Sequence, residues 1–361
     1  LNLSEIQVDG EALRWNVRQL RGLSSARVAA VVKGNAYGHG LAEVVSALEG
    51  VVDAFQVDDL EELRALRAVT SKRAFVFGFV PLSSLAEAVA LGGELTIYDA
   101  AQAAALAGLG ARVHLKVDAL LGRLGVLPTA LLELVGALGD ARAEVVGAYA
   151  HFANIEDTTD LSHAQAQMEV FESCLGVVRE RFPLVERHVS ATSGLMALGS
   201  SGDWVRLGIG IYGLYPSAAL SRTWGALELR PAMRWVSHLA QVKELPAGHP
   251  VGYGLTFRTS RPMRVGIVPQ GYADGYDRGL SNSGEVLVCG RRCPVIGRVA
   301  MNMFAVDLTL APEARLESEV VLLGSQGSEV VSAEEIASRL GTINYEVIAR
   351  VSPQLPRALT R

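Results

Sequence analysis

The sequence predicts a (β/α)8, TIM-type barrel followed by a mostly β domain, an α/β plus β architecture. Three observations carry that expectation. Eight short apolar runs alternate with amphipathic or Ala/Leu-rich segments along the first part of the chain, the pattern of a barrel of about 200 to 250 residues. Past Ser217 the texture changes to short alternating segments broken by PAGHP, SNSGE and CGRRCP, which reads as β structure. The 361 residues exceed one ordinary domain. The expected division is an N-terminal strand over residues 1–10 packing with the C-terminal domain, a barrel over 11–230 and a β domain over 231–361.

An opening strand over Leu3–Val8 and a helix near Glu11–Leu20 precede the barrel runs. Those runs are Val28–Val32, Ala54–Val57, Ala74–Val80, Leu95–Tyr98, Val113–Val117, Val145–Ala150, His188–Ala191 and Val205–Tyr212. Each is too short for a buried helix and rich in Val and Ala, as a strand covered on both faces should be. Asp59–Val69, Leu82–Leu91, Ala100–Leu109 and Ser162–Arg181 supply helices between them. The link Leu195–Asp203 is too short for a full helix, so that unit departs most from the repeat. Near the C-terminus, Ser332 with Glu335 three residues on forms a capping box for a helix to Leu340. Tyr345–Val351 is expected to be a final strand.

Composition excludes several function classes. Half the residues are hydrophobic and 20% are charged, with a formal net charge of -5. No Lys/Arg run stands out, so no nucleic-acid partner and no anionic membrane partner is expected. No apolar run approaches membrane-spanning length and no basic-then-apolar leader opens the chain, which points to the cytoplasm. Cys174, Cys289 and Cys293 lack the neighbouring ligands of a zinc site, and no metal is expected.

The stretch VAAVVKGNAYGHG, Val28 to Gly40, holds the sharpest chemical signal. Lys33 interrupts a buried strand where its apolar run ends. Desolvation there would lower its pKa and free the amine as a Schiff-base nucleophile. A lysine snorkelling at a barrel rim fits the same residues. Barrel enzymes carry their working groups after the strands, at the C-terminal face. Lys33 and Tyr37 follow the first run, Lys116, Asp118 and Arg123 the fifth, His151 the sixth, and Thr192 with Ser193 the seventh. Arg206, Gly208 and Ile209 lie in the eighth. Phosphate sites in such barrels often form after strands seven and eight, where Ser193 and the Gly208–Ile209 amides could donate.

AVVKGNAYGHG resembles the pyridoxal-phosphate attachment motif of the alanine racemase family, and the likeness runs almost to the C-terminus. It implies a pyridoxal 5'-phosphate enzyme interconverting L- and D-alanine, feeding peptidoglycan synthesis. Lys33 matches the lysine that holds the cofactor, while Tyr37, Ser193, Gly208 and Ile209 match phosphate contacts. Arg206, in VRLGIGIYG, resembles the arginine facing the pyridine nitrogen, which it would keep unprotonated because two adjacent cations repel. His151, in AYAHFA, resembles the histidine linking that arginine to the second base. Tyr253, in GYGLTF, resembles that base, reaching the cofactor of the other subunit in a head-to-tail homodimer. Lysine on one face of Cα and tyrosine on the other suit a two-base exchange, and a cationic His151–Arg206 relay would favour phenolate. Arg123 in GRLG, Met301 and Tyr272 in GYADG match substrate-side positions. Lys116, in HLKVD, matches a lysine often carbamylated in the family.

Three departures qualify the likeness. Ala119–Leu121 replaces the polar part of the loop before Arg123, Asn302 stands where aspartate is usual, and Pro353 where many members carry a phosphate-bonding tyrosine. The first two motivate a broader-specificity amino-acid racemase as an alternative. A decarboxylase would call for a carboxylate in place of Arg206. A non-catalytic pyridoxal-phosphate carrier would resemble the barrel alone, and the β domain bearing Tyr253 argues against it.

Overall fold

Alternation of β-branched strands with short Ala/Leu-rich helices produces the expected barrel. A computed structural model of the chain describes residues 4–199 and 202–360. It divides into two compact units. One comprises Glu11–Gly34 and Val44–Arg230; the other comprises the described residues up to Gly10, Asn35–Glu43, and those from Pro231 onward. Asn35–Glu43, which the sequence reading places in the barrel, therefore clusters with the β structure.

After β1 (Glu5–Asp9) of the β unit come the barrel strands. They are β2 (Arg27–Val31), β3 (Ala54–Val57), β4 (Ala74–Val76), β5 (Gly93–Ile97), β6 (Arg112–Lys116), β7 (Glu144–Tyr149), β8 (Glu186–His188) and β9 (Trp204–Leu207). All pairings are parallel, in the order β8-β7-β6-β5-β4-β3-β2-β9. A parallel bridge between Ala191 and Arg206 joins the two ends. Ala29, Ala54, Phe75, Phe77, Tyr149 and Trp204 pack together in its core, filling the barrel with side chains. The helix Ser162–Arg181 appears as predicted.

Several predicted runs overshoot. Ala74–Val80 ends as a strand at Val76, and Val205–Tyr212 ends at Leu207 before a 3₁₀ turn over Ile209–Tyr212. His188–Ala191 is displaced: β8 ends at His188 and a helix begins at Thr192. That helix, Thr192–Leu198, starts three residues before the link judged too short for one; residues 200–201 of the link lie outside the described residues. Leu3 of the predicted opening strand does likewise.

In the second unit the remaining strands are β10 (Met233–His238), β11 (Gln241–Leu245), β12 (Pro250–Val251), β13 (Phe257–Arg258), β14 (Met263–Val268), β15 (Glu285–Val288), β16 (Arg291–Ile296), β17 (Phe304–Asp307), β18 (Glu319–Gln326), β19 (Glu329–Val331) and β20 (Arg357–Thr360). The sheet runs β11-β14-β17-β16-β15-β18-β10-β1-β20, with β19 paired to β18. β1 pairs antiparallel with β10 and parallel with β20. The predicted strand Tyr345–Val351 is instead a helix, Asn344–Ala349. Asn344 and Ile348 are its buried pair, four residues apart on one helical face, and this spacing outweighs local β propensity. At Ser332 half of the capping box forms: its Oγ accepts from the Glu335 N–H at 3.1 Å. The Glu335 carboxylate turns instead to Arg292 and Arg339, both at 2.8 Å.

Candidate active site

The chain leaves β2 at Lys33 and enters a left-handed turn. Gly34, Asn35, Ala36, Tyr37 and Gly38 have φ of 62°, 52°, 54°, 53° and 82°. Left-handed backbone costs roughly 1–2 kcal/mol for each non-glycine residue, so three in succession need compensation. Within the β unit the Leu41 N–H donates to Asn35 Oδ1 at 2.9 Å and the Gly40 N–H to Asn35 O at 2.9 Å. Arg357 Nη2 donates to Gly38 O at 2.8 Å. A Cβ on Gly38 would lie 2.0 Å from Ile348 O, so only glycine passes the helix Asn344–Ala349. Tyr37 sits at the end of this turn with its ring 6.2 Å from that of Tyr345.

At the barrel's C-terminal face, Lys33 Nζ lies 3.4 Å from Asp58 Oδ1. Glu62 fixes both backbones, accepting the Gly34 N–H at 2.6 Å and the Asp58 N–H at 2.8 Å. Neither carboxylate was singled out from sequence. Asp58 stands one residue past a recognised strand, so the strand-end rule that selected Lys33 applied to it equally.

Lys116 ends β6 and is buried. Burial, then the charges of Arg123, Arg206 and Lys33, lower its pKa to about 8. The Tyr149 ring lies between two cations, 5.5 Å from Lys116 Nζ and 5.1 Å from the Arg206 guanidinium carbon. Arg123 is exposed on a loop that Asp118 closes, its Oδ1 accepting the Leu121 and Gly122 N–H groups at 2.9 and 3.0 Å. Gln167, on the helix Ser162–Arg181, ties this loop to the next. It donates to Ala119 O at 2.6 Å and His151 O at 3.1 Å, and accepts the Ala153 N–H at 2.9 Å.

Arg206, on β9, is buried and uses its terminal nitrogens fully. Nη1 donates to His188 Nδ1 and O at 2.8 and 3.1 Å. Nη2 donates to Ala150 O and Val189 O, both at 3.0 Å, and faces His151 Nδ1 at 3.4 Å. Among the described residues these bonds leave Nε–H free. Burial lowers Arg206 to about 10 and His151 to about 3, the latter helped by the Arg206 and Arg123 charges. His151 is thus neutral at ordinary pH. In the His151–Arg206 pair the positive charge therefore resides on Arg206.

Ser193 Oγ donates to Glu156 Oε1 at 3.0 Å. The Gly208 N–H donates to Thr192 Oγ1 at 3.2 Å, while the Ile209 N–H has no partner among the described residues. Arg123, His151, Asn154, Glu156 and Ser193 line a cavity of about 270 Å³. The barrel thus brings Lys33, Lys116, Arg123, His151, Ser193, Arg206, Gly208 and Ile209 to one end.

Besides Tyr37, three further predicted residues belong to the other unit. Tyr253 is 75% exposed, on a turn between Gly252 and Gly254 with φ of 73° and 71°. Tyr272 and Met301 are drawn together by bonds from the Tyr272 N–H to Ala300 O and the Ala273 N–H to Met301 O, at 3.1 and 3.0 Å. Asn302 is exposed beside Met301, and Pro353 is exposed on a turn before β20. Among the described residues no cluster of three His, Cys, Asp or Glu could hold a metal, and no helix is long and apolar enough to cross a membrane.

Residues 8–216 match the alanine racemase N-terminal domain family and residues 232–359 the alanine racemase C-terminal domain family. The alanine racemase of Syntrophobacter fumaroxidans is 38% identical over 361 residues, covering 96% of this chain and 95% of its own. That of Symbiobacterium thermophilum is 37% identical over 364 residues, covering 97% and 95%. The crystal structure of alanine racemase from Bacillus anthracis with bound L-Ala-P superposes with a TM-score of 0.92 at 31% identity, covering 100% of this chain and 96% of that one. The chain belongs to the alanine racemase family of enzymes.

Proposed function

We propose that this chain is a cytoplasmic, pyridoxal-phosphate-dependent racemase that interconverts L- and D-alanine by a two-base mechanism in a head-to-tail homodimer, supplying D-alanine for peptidoglycan. The observation that carries the reading is the donor set at one barrel end. An amine, Lys33, stands at the strand end, and a buried arginine, Arg206, keeps one N–H free. That set fits the cofactor: the amine for its aldehyde, Arg206 Nε–H for its ring nitrogen, and Ser193 Oγ with the Ile209 N–H for its phosphate. Tyr37 would add a phosphate contact from its turn. Ser193 must then rotate away from Glu156, and Pro353 offers no hydroxyl.

When bound, pyridoxal phosphate supplies an aldehyde that condenses with amines and a conjugated ring that stabilises negative charge on the neighbouring carbon. Lys33 Nζ exchanges the α-proton on one face. Tyr253 of the partner subunit does so on the other, which accounts for its exposed, glycine-flanked position. Arg206, as a cation, keeps the ring nitrogen unprotonated and so limits the negative charge drawn into the ring. His151, neutral and within reach of Nη2, steadies Arg206. Arg123, Met301 and Tyr272 hold the substrate side. Lys116, with its pKa lowered to about 8, carries a far larger uncharged fraction near neutrality than an ordinary lysine and is open to carbamylation, which would replace a cation beside Arg123 with an anion.

Loss of optical rotation from L-alanine, with L-serine and L-lysine in parallel, tests the reading. Fast decay for alanine, weak for serine and absent for lysine is expected. Tyr253→Phe should abolish proton exchange from one enantiomer while sparing cofactor absorbance. No decay from any substrate, or Tyr253→Phe without effect, would overturn it. Comparable decay across the panel would favour the broader-specificity racemase, for which Asn302 beside the exposed Met301 is the motivating feature.

A further inference from the structure

A continuous line of buried polar groups runs through the barrel core away from the site. Arg206 Nη1 meets His188 Nδ1 at 2.8 Å, His188 Nε2 meets His114 Nδ1 at 2.9 Å, and His114 Nε2 meets Glu94 Oε2 at 2.9 Å. Both imidazoles are fully buried and Glu94 is 2% exposed. The two ends determine the middle. A guanidinium can only donate and an ionised carboxylate can only accept. His188 therefore accepts at Nδ1 and carries its proton on Nε2, donating to His114 Nδ1. His114 likewise carries its proton on Nε2 and donates to Glu94. All three bonds point the same way.

The surroundings enforce this arrangement. Arg73 grips Glu94 through two bonds of 2.8 Å, and Arg112 Nη1 lies 3.1 Å from its Oε1. Arg73 also reaches Glu186 at 3.3 Å. Phe77 and Tyr149 stack on His188 at interplanar angles of 11° and 7°. Phe75 and Phe77 lie 4.6 and 5.3 Å from the His114 ring. Burial would raise Glu94, yet bonds from His114 and Arg73 hold it at about 2, so it is anionic. Burial keeps both imidazoles neutral; Arg206 and His114 add to the effect at His188, while Glu94 opposes it at His114. The barrel also clears a path. β7 slips register opposite Val113/His114, and a Cβ on Gly147 would lie 2.1 Å from His114 Nδ1 and 3.1 Å from His188 Nε2.

We propose that Glu94, His114 and His188 are positioning residues that hold Arg206 oriented toward its carbonyl and imidazole acceptors, with ionised Glu94 fixing the direction of the line through two neutral imidazoles. The relay is a property of the chain alone; its effect on the cofactor rests on the reading that Arg206 faces the ring nitrogen. Among the described residues Arg206 has no carboxylate partner, so the His188 ring and the dipoles of three carbonyls are what receive its terminal N–H groups in the barrel core. The relay would set how strongly Arg206 opposes protonation of the ring without exposing a carboxylate to it.

Long-range 15N–1H correlation on the full-length, deuterated, 15N-histidine-labelled chain tests this directly, with His114 and His188 assigned by single replacement. Both should carry hydrogen on Nε2 and stay unchanged from about pH 6 to about pH 9, a range spanning the ordinary histidine pKa. Hydrogen on Nδ1 of either ring, or titration of either within that range, would overturn the relay. In Glu94→Gln the amide can donate as well as accept, so His114 should populate the Nδ1–H form. In the loaded enzyme, kcat should fall about 10- to 100-fold with KM within about twofold, as when a residue orienting a direct contact is lost. Absorbance of the bound cofactor should also change its pH dependence. Altered tautomers with unaltered absorbance and kcat would overturn the link to Arg206. Failure of the parent chain to bind pyridoxal phosphate would remove the proposed function, and the tautomer measurement would still decide the relay.

Discussion

Gly147→Ala probes the barrel core where a glycine leaves room for two buried imidazoles. The new methyl would lie 2.1 Å from His114 Nδ1 and 2.7 Å from its Cε1. His114 cannot swing aside easily, because Glu94 holds its Nε2 and Phe75 and Phe77 flank its ring. Overpacking of this kind costs about 1–3 kcal/mol. Separating the two imidazoles leaves a buried donor and acceptor unpaired, for about 1–3 kcal/mol more. Together these predict a loss of about 2–6 kcal/mol. Gly176→Ala is the matched comparison. It lies inside the helix Ser162–Arg181 with nothing within 4 Å of its added Cβ, and should stabilise by about 0.8–1.0 kcal/mol. Urea unfolding of both variants against the parent, followed by circular dichroism, measures the difference. A Gly147→Ala chain as stable as the parent, with the His114 tautomer retained, would refute the packing argument.

Glu62→Leu removes the acceptor of two backbone N–H groups at the Lys33 turn, at about 1.5–3 kcal/mol for each bond to a charged group. Weaker pyridoxal-phosphate retention in equilibrium dialysis is the expected result, and unchanged retention would deny Glu62 that role. Acid should destabilise the chain from below about pH 6.5. Folded His39 is held at about 4 by burial, and buried His114 and His188 are also lowered. The unfolded chain takes up these protons first, so stability present above the unfolded pKa is lost as pH falls, by about 1.4 kcal/mol per pH unit for each group. Melting temperatures across pH 4 to 7 test the sign; a plateau there would contradict it. Lys116, lowered to about 8, should react with 13C-bicarbonate increasingly as pH rises through that value. The carbamate resonance should vanish in Lys116→Ala; its persistence would place the carbamate elsewhere.

The barrel was legible because its signal is local and repeated. A buried parallel strand must be a short apolar run, and a crossover helix must be amphipathic. The same locality explains the failures. Tyr345–Val351 carries enough β-branched and aromatic residues to read as a strand, yet Asn344 and Ile348 bury one helical face. The left-handed turn from Gly34 to Gly38 has no local pattern to announce it beyond two glycines, because packing of Gly38 against Ile348 and a bond from Arg357 hold it there.

Among the candidate functional residues, the sequence by itself singled out those whose chemistry is unusual for their place: a lysine at the end of an apolar strand, and an arginine inside another. Their neighbours were decided by tertiary structure. Asp58 and Glu62 look like ordinary helix-start carboxylates until the barrel closes beside Lys33. His114 stood within the HLKVD motif, read there for Lys116 alone. Glu94, His114 and His188 lie on three strands and have no sequence relation to one another. Only curling of the sheet brings them into line, and only a glycine on a fourth strand leaves room between two of them. A buried polar group is costly until it is paired, and its partner is set by the register of strands distant in the chain.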